Sequence, residues 1–413
     1  MPQPVLPLAG IRVIDYSHFI AGPYMSRCLA AFGADVIKVE RPVYGEAGRT
    51  HPYVVDGYSG YFFQQNMGKR GLCVDVKDAR GLELMQKLVV SADVFIENYR
   101  PGTLEKLGLG YQALSELNPK LVYCSVSANG HTGPDSTQVG FGLIAEAKSG
   151  AMAQMGVPGE PPPLLRLPIA DMYTGIHGVA AVCAALLARA QSGAGQHIDL
   201  ALYDCMVSMH DFAVQAYSMS GGKVLPKQVG HDNPDLTIYG VFAARDGYLV
   251  IAAQIDEAWK RLAELIGGRE LADDVRFHLV PSRNAHRDEA LARVRAWTME
   301  QDSVKDCIRQ LREAAVPCAP VQRIDEVMAD PQIIARGMIL EQDHPVLGRV
   351  KLANLPFRFS GFDTQVPCIA PDLGAHNREI AATLGYSDAD IERLMHDGVL
   401  YDAKPGALQA QAA

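Results

Sequence analysis

Ile11-Arg-Val-Ile-Asp-Tyr16 is followed by a helix-like interval from Tyr24 to Phe32, a lone Gly33, and then Ala34-Asp-Val-Ile-Lys-Val-Glu40. The two outer segments are short, rich in β-branched residues and bounded by breakers, so they read as strands. Gly33 suits the position just past a helix C-terminus, where a left-handed backbone is wanted. Arg41-Pro42 stops the second strand. The pattern repeats outward. Gly71-Leu-Cys-Val-Asp-Val76 reads as a strand, followed by a helix over Ala79 to Val90 with Asp78 as its N-cap. Ala92 to Glu97, Leu121 to Val126 and His197 to Leu202 are further strands, the last leading into a helix from Tyr203. Strands alternating with helices predict an α/β fold with a doubly wound parallel sheet. Such sheets bind ligands beyond the carboxyl ends of their strands. The loops after Tyr16, Glu40, Glu97 and Val126 are therefore the ones to watch.

At 413 residues the chain is long enough for two or three domains. Apolar residues at 48% and charged residues at 21% are ordinary for a globular protein. A net charge of −9 argues against a nucleic-acid-coating role but leaves room for a local basic pocket. The eight cysteines (Cys28, Cys73, Cys124, Cys183, Cys205, Cys307, Cys318, Cys368) form no C-x-x-C pair, which speaks against a zinc ribbon and fits a reducing compartment. Met1 to Gly10 shows no signal-peptide pattern, and the longest apolar segment, Gly178 to Ala188, is too short for a bilayer. A cytoplasmic protein with no membrane and no nucleic-acid partner is expected.

Gly156 to Pro163 reads as a loop, and a long helix runs from near Asp171 to about Gln191, ended by Ser192-Gly-Ala-Gly195. The pattern changes after Ser220. Tyr239 to Arg245 and Tyr248 to Gln254 flank Asp246-Gly247 as a β-hairpin. Helices follow at 256–266, 286–301 and 303–314, with a strand boundary at Pro317 to Pro320. Short strands resume from Gly337, and Leu373 to Gly398 is helical. The expected layout is a large domain over 1–205, a linker at 206–224, a smaller α+β domain over 225–330, a return to the large domain over 331–402, and a disordered tail at 403–413.

Signatures of serine hydrolysis, zinc proteolysis, P-loops and dinucleotide binding are absent, and Gly108-Leu-Gly110 is only a lone G-x-G in a turn. Asp171 opens the long helix, with Gly175 and Gly178 behind it. It reads either as an N-cap or as a carboxylate nucleophile, the glycines admitting a second backbone or a bulky ligand. Arg41, Lys69, Arg70, Arg100 and Lys106 fall at loop positions near strand ends, a pattern suited either to a solvated surface or to phosphate and carboxylate binding. His18 follows the first strand, His177 reads as a packed group on the long helix, and Glu146 is either a surface charge or a pocket carboxylate. The histidines show no ligand spacing, so no metal is expected.

The chain resembles the class III CoA-transferases, the family of formyl-CoA and carnitine CoA-transferases. The likeness runs from Pro7 to about Leu400. It is carried by Leu8 to Asp15, Ala21-Gly-Pro23, Phe32 to Pro42, Asn66 to Arg70, Glu97-Asn-Tyr-Arg-Pro-Gly102, Gly133-Pro134, Ile169-Ala-Asp-Met172 with Gly175, Gly195-Gln196, and Leu373-Gly-Ala-His376. The resemblance implies a large domain built from both chain ends, a small middle domain, and two subunits interlocked as rings in an obligatory homodimer. It implies that Asp171 is the nucleophile, that coenzyme A is a substrate and carrier, and that no permanent cofactor is bound. The family's CoA-binding positions map onto Ile20, Ala21, Arg41, Lys69, Asn98, Tyr99, Arg100 and Lys106. Ile20 departs from the Gln of formyl-CoA transferase, and Gly142 from the acidic residue usual after the position of Phe141. Glu146 is a candidate to supply that carboxylate, with Phe141 beside it, and His18 or Arg166 to meet a second carboxylate on the acceptor. The implied reaction moves CoA from a donor such as succinyl-CoA to a dicarboxylic acid through an aspartyl-CoA thioester. The 2-methylacyl-CoA racemases share the implied fold, but their Gly-His-Asp stretch reads Gly140-Phe141-Gly142 here, and a phenyl ring cannot act as a base. A non-catalytic CoA-binding protein is the other alternative.

Overall fold

The computed structural model describes residues 6–364 and 369–403, which divide into two compact units. The larger runs up to Ala151, over Leu165–Asp211 and again from Ala335; the smaller comprises Met152–Leu164 and Phe212–Ile334.

The strands of the larger unit before Ala335 are β1 (Arg12–Tyr16), β2 (Asp35–Glu40), a tiny hairpin of β3 (Val54–Val55) and β4 (Tyr58–Ser59), β5 (Arg70–Cys73), β6 (Val94–Glu97), β7 (Val122–Ser127) and β8 (Gln196–Ala201). Six of them form one sheet, in the order β5-β2-β1-β6-β7-β8, and every pairing is parallel. Its helices include α1 (Ala21–Ala31), α2 (Gly60–Asn66), α3 (Ala79–Val90), α4 (Tyr111–Leu117), α5 (Gly142–Lys148), α6 (Ile169–Ser192) and α7 (Leu202–Ser208). Asp78 caps α3 as expected, accepting from the Arg80 N–H. Helix α1 begins three residues before Tyr24, because Pro23 falls in the first turn, where a missing N–H leaves no bond unmade.

Successive strand residues face opposite sides of the sheet, and each side has its own core. Val13, Val36, Val94 and Val122 pack with Met25, Leu29 and Val182 of α1 and α6. Ile14, Ile37, Phe95 and Tyr123 pack with Leu84 and Leu88 of α3 and with Ile380, Ile391 and Leu394 from the chain's end. Helices α1 and α6 meet closely because Gly175 and Gly178 lack side chains. A Cβ at Gly175 would lie 2.9 Å from the Ala21 carbonyl oxygen, and one at Gly178 would lie 2.0 Å from Met25 Cε. The glycines thus admit a neighbouring helix. Helix α6 extends beyond the apolar segment seen in sequence and is, by length and composition alone, apolar enough to cross a membrane. Its buried face lies against α1, β7 and β8.

The smaller unit holds a three-stranded antiparallel sheet: the expected hairpin is β9 (Tyr239–Ala244) and β10 (Gly247–Ala252), but it turns at Arg245-Asp246, since Gly247 already pairs with Ala244, and β11 (Cys318–Pro320) lies at the edge. Phe242, Trp259, Phe277 and Leu311 centre its core. Residues 206–224, expected as a linker, instead contain the end of α7 and a further helix, Ala213–Met219. The Gly/Pro-rich loop before α6 lies in the smaller unit, a placement that local sequence does not reveal. Ala403, expected in the tail, bridges to Leu373, and 404–413 lie outside the described residues.

Between the sheet and α1 lies a buried ionic network. Lys69 donates to Asp15 Oδ2 at 2.8 Å, Asn66 Oδ1 at 2.8 Å and the Pro23 carbonyl at 2.9 Å. Lys38 lies 3.7 Å from Asp15 and 3.8 Å from Glu46. Arg49 grips Glu40 with two bonds, at 2.8 and 2.6 Å. Burial alone would raise the Asp15 pKa, but the charges of Lys38 and Lys69 outweigh it and hold the carboxyl far below the ordinary range. Breaking a buried pair leaves an uncompensated charge. Lys69→Met is expected to lower the unfolding free energy by about 3 kcal/mol. Arg70→Met, which breaks partly exposed pairs with Asp35 and Glu379, should change it by about 1 kcal/mol or less. Urea denaturation of both variants measures the difference; equal losses would show that the network carries no special weight.

Candidate active site

Strands β1 and β6 are neighbours, and on either side of them the sheet is built in opposite directions. A crevice opens beyond the carboxyl ends of such a pair. The two loops that leave this point are joined by one side chain. Asn98, after β6, accepts the His18 N–H at 2.8 Å and donates to the His18 carbonyl at 2.7 Å. Phe19 has a φ of 64°, unusual for a residue with a Cβ, and its N–H donates to Glu46 Oε2 at 2.8 Å. Lys38 donates to the Ser17 carbonyl. The buried network therefore holds the His18–Phe19 loop from below while Asn98 holds it from the side.

A cavity of about 170 Å³ lies here, lined by Asp171 with His18, Phe19, Tyr61, Asn98 and Phe141. It shares His18, Phe19, Asn98 and Phe141 with a groove of about 570 Å³ that adds Tyr99, Arg100 and Lys106. A recess of about 220 Å³ shares His18 and Phe19 and adds Arg41. Carboxylate, apolar wall and cations thus follow one another along one edge of the sheet.

Asp171 is the third residue of α6 and not its N-cap; that position belongs to Pro168, which provides no side-chain cap. Burial, and next the charge of Glu146, push the Asp171 carboxyl up to about 6, and no hydrogen bond opposes them. The neighbouring backbone makes room for it. A Cβ at Gly142 would sit 2.3 Å from Asp171 Oδ2, so the glycine that departs from the family pattern is the one this carboxylate lies against. Burial, and then the charge of Lys38, push His18 down to about 4, so its ring is neutral at neutral pH. It packs edge-on to Phe19 and Tyr99.

The other expected residues divide. Ala21 lines the Asp171 cavity; Arg41, Asn98, Tyr99, Arg100 and Lys106 line the recess or groove; Phe141 stands between cavity and groove. Glu146 is a buried carboxylate, 2% exposed, and not a surface charge. Four expectations need correction. Lys69 is in the ionic network, its three donor positions engaged by protein oxygens, so it has none left for a phosphate. Arg70 turns to Asp35, at the amino end of β2, away from the crevice. Ile20 is a core side chain at the start of α1. Arg166 is exposed and lines none of these three cavities. His177 packs against Tyr173 in its own helix. Tyr61 and the supporting Glu46 went unnoticed in sequence. Tyr61 carries no local signal, whereas charged Asp15 and Lys38 inside otherwise apolar strands were a readable sign of a buried network. Among the described residues, no cluster of three or more His, Cys, Asp or Glu is placed to hold a metal.

A raised carboxyl pKa means that stability is fully present below the ordinary value and is lost as pH rises through about 6. Asp171→Asn removes this partly buried charge. Its Tm should exceed that of the wild type by about 3 °C or more at pH 8, the gain shrinking toward pH 4. Calorimetry at both pH values checks this; an Asn variant that melts lower at pH 8 would mean the carboxylate is stabilised in place.

The family model for CoA-transferase family III matches residues 8–377. The succinate–glutarate CoA-transferase of Agrobacterium fabrum is 36% identical over 394 residues, covering 93% of this chain and 97% of its own length. The succinyl-CoA:mesaconate CoA-transferase of Haloarcula hispanica is 36% identical over 388 residues, covering 92% and 96%. The crystal structure of a CAIB/BAIF family protein from Brucella suis superposes with a TM-score of 0.82 at 36% identity, over 92% of this chain and 99% of that one. With the parallel sheet and a crevice carboxylate in place over this same span, the chain belongs to CoA-transferase family III.

Proposed function

We propose that this protein transfers CoA from succinyl-CoA, or a similar acyl-CoA, to a dicarboxylic acid, with Asp171 as the nucleophile and an interlocked homodimer as the working form. The observation that carries this reading is the Asp171 carboxylate, free of hydrogen-bond donors, in a cavity that opens toward Arg100 and Lys106. The two relatives named above support the substrate class: glutarate and mesaconate are both dicarboxylic acids.

In this mechanism Arg41, Arg100 and Lys106 anchor the phosphates of CoA, and Asn98 and Tyr99 form the wall along which the pantetheine arm reaches the cavity. An Asp171 carboxylate oxygen attacks the donor thioester carbonyl. The C–S bond breaks, a mixed anhydride forms and CoA leaves as the thiolate. The thiolate attacks Asp171 Cγ, releasing the donor acid as its carboxylate and leaving an aspartyl-CoA thioester. The acceptor carboxylate attacks this thioester, giving a second anhydride and the thiolate again. Attack of the thiolate on the acceptor's acyl carbon then forms the new acyl-CoA and restores the Asp171 carboxylate. No proton is gained or lost in the cycle, so the reaction needs no general base. Neutral His18 and the hydroxyls of Tyr61 and Ser127 are the polar groups left for the acceptor's second carboxylate.

Incubation with succinyl-CoA and glutarate, followed by mass spectrometry, should yield glutaryl-CoA, and hydroxylamine added during turnover should convert Asp171 to its hydroxamate. Asp171→Asn should abolish both, because an amide cannot form the anhydride. Turnover without modification of Asp171 would refute the nucleophile; deuterium entering C2 of a 2-methylacyl-CoA would favour racemisation. Gly142→Ala, which crowds the carboxylate, should fold normally and reduce kcat by about 100-fold. An unchanged kcat would show that the Asp171 position is not critical.

A further inference from the structure

Glu146 is buried on α5 and takes part in no salt bridge among the described residues. Its Oε1 accepts the N–H of Ala170 at 3.2 Å. Ala170 is the second residue of α6, whose own N-cap residue, Pro168, provides no side-chain acceptor. Glu146 therefore does from another helix what an N-cap does locally: it satisfies one of the orphan donors of the first turn. The next residue in that turn is Asp171. Gly142, four residues before Glu146 on α5, is the position whose missing Cβ leaves room for Asp171 Oδ2. One short helix thus addresses Asp171 twice, through contact at Gly142 and through charge and backbone at Glu146.

The charge has a chemical consequence, which rests on Asp171 being the nucleophile. The charges of the two carboxylates repel, and no cation among the described residues offsets this at Asp171. Asp171 is anionic until it attacks; as an anhydride or a thioester it is neutral, and the repulsion is gone. We propose that Glu146 is the positioning residue of this reaction: it holds the first turn of α6 and sets an uncompensated negative charge beside Asp171, weighting the cycle toward the aspartyl-CoA thioester. It touches no substrate and acts through Asp171.

Burial also raises Glu97, at the end of β6, to about 7, so the acid limb that belongs to Asp171 is the one that moves with Glu146. His18, from the loop after β1, titrates at about 4. Burial, and then the charge of Asp171, raise the phenol of Tyr61 on α2. Burial likewise raises Tyr24 and Cys28 on α1 and Cys205 on α7. Lys148, the cation of α5, turns to Asp135 at 2.8 Å, and Asp204 of α7 is exposed. An acid limb near pH 6 in kcat/KM that shifts with the charge at Glu146 therefore reports Asp171.

The test uses the full chain with succinyl-CoA and glutarate. Glu146→Gln keeps an acceptor for Ala170 and removes the charge. Its acid limb should move down by about one pH unit, and the aspartyl-CoA thioester trapped by acid quench at pH 8 should fall up to about tenfold relative to free enzyme. Glu146→Asp keeps the charge and shortens the reach; its acid limb should stay near that of the wild type while kcat falls. A Glu146→Gln limb and intermediate level equal to those of the wild type would overturn the proposal while leaving Asp171 as nucleophile. Should Glu146→Gln not fold, a Glu146→Asp limb displaced as far as one pH unit would overturn it instead, because the charge would then not be what sets it. A wild-type protein that traps no thioester would refute the Asp171 reading itself.

Discussion

Three acids and three bases are buried together at the sheet: Asp15, Glu40 and Glu46 with Lys38, Arg49 and Lys69. Charges taken out of water are tolerable only when paired and hydrogen-bonded, and here each is. That requirement fixes geometry well beyond the pairs themselves. Lys38 reaches the Ser17 carbonyl, Glu46 reaches the Phe19 N–H, and Lys69 ties Asp15 to the first turn of α1 through Pro23. The loop that walls the Asp171 cavity is thus an outgrowth of the network, and the left-handed backbone of Phe19 persists because the hydrogen bonds around it over-determine it.

A few side chains away the same physics is left unbalanced. Glu146 and Asp171 are two carboxylates out of bulk water with no cation between them, and the result is a carboxyl titrating near 6. A compensated network stabilises; an uncompensated pair stores energy that a reaction neutralising one member can release. The balanced network holds the crevice open in one shape, and in the proposed mechanism the unbalanced pair makes one oxygen in it reactive. Gly142 belongs to the same arrangement, since a side chain there would occupy the space of the carboxylate.

Much of the sheet was legible because period and punctuation are local. Ile11 to Tyr16, Gly33, Ala34 to Glu40 and the capped helix after Asp78 follow from residue type and spacing alone. So did the importance of the loops after Tyr16 and Glu97, which follows from strand order in any sheet of this kind. The basic residues were harder. Arg41, Arg100 and Lys106 reach the crevice, whereas Lys69 and Arg70, adjacent in sequence to one another, go to the core and to the opposite edge. Nothing in a strand-end lysine says whether it points to solvent or inward; that depends on whether a buried Asp15 waits for it.

The sequence by itself determined the alternation of strand and helix and the family signature, and it singled out Asp171 as the candidate carboxylate, because each is written in short-range pattern. Only the tertiary structure decided that Asp171 lies inside the first turn of α6 and not at its cap, that Glu146 caps α6 from another helix, that Gly175 and Gly178 serve α1, and that Gly142 is a space and not a loss. Each of these depends on residues distant in sequence coming within a few ångströms, and a charge or a missing Cβ acquires its meaning from what it then faces.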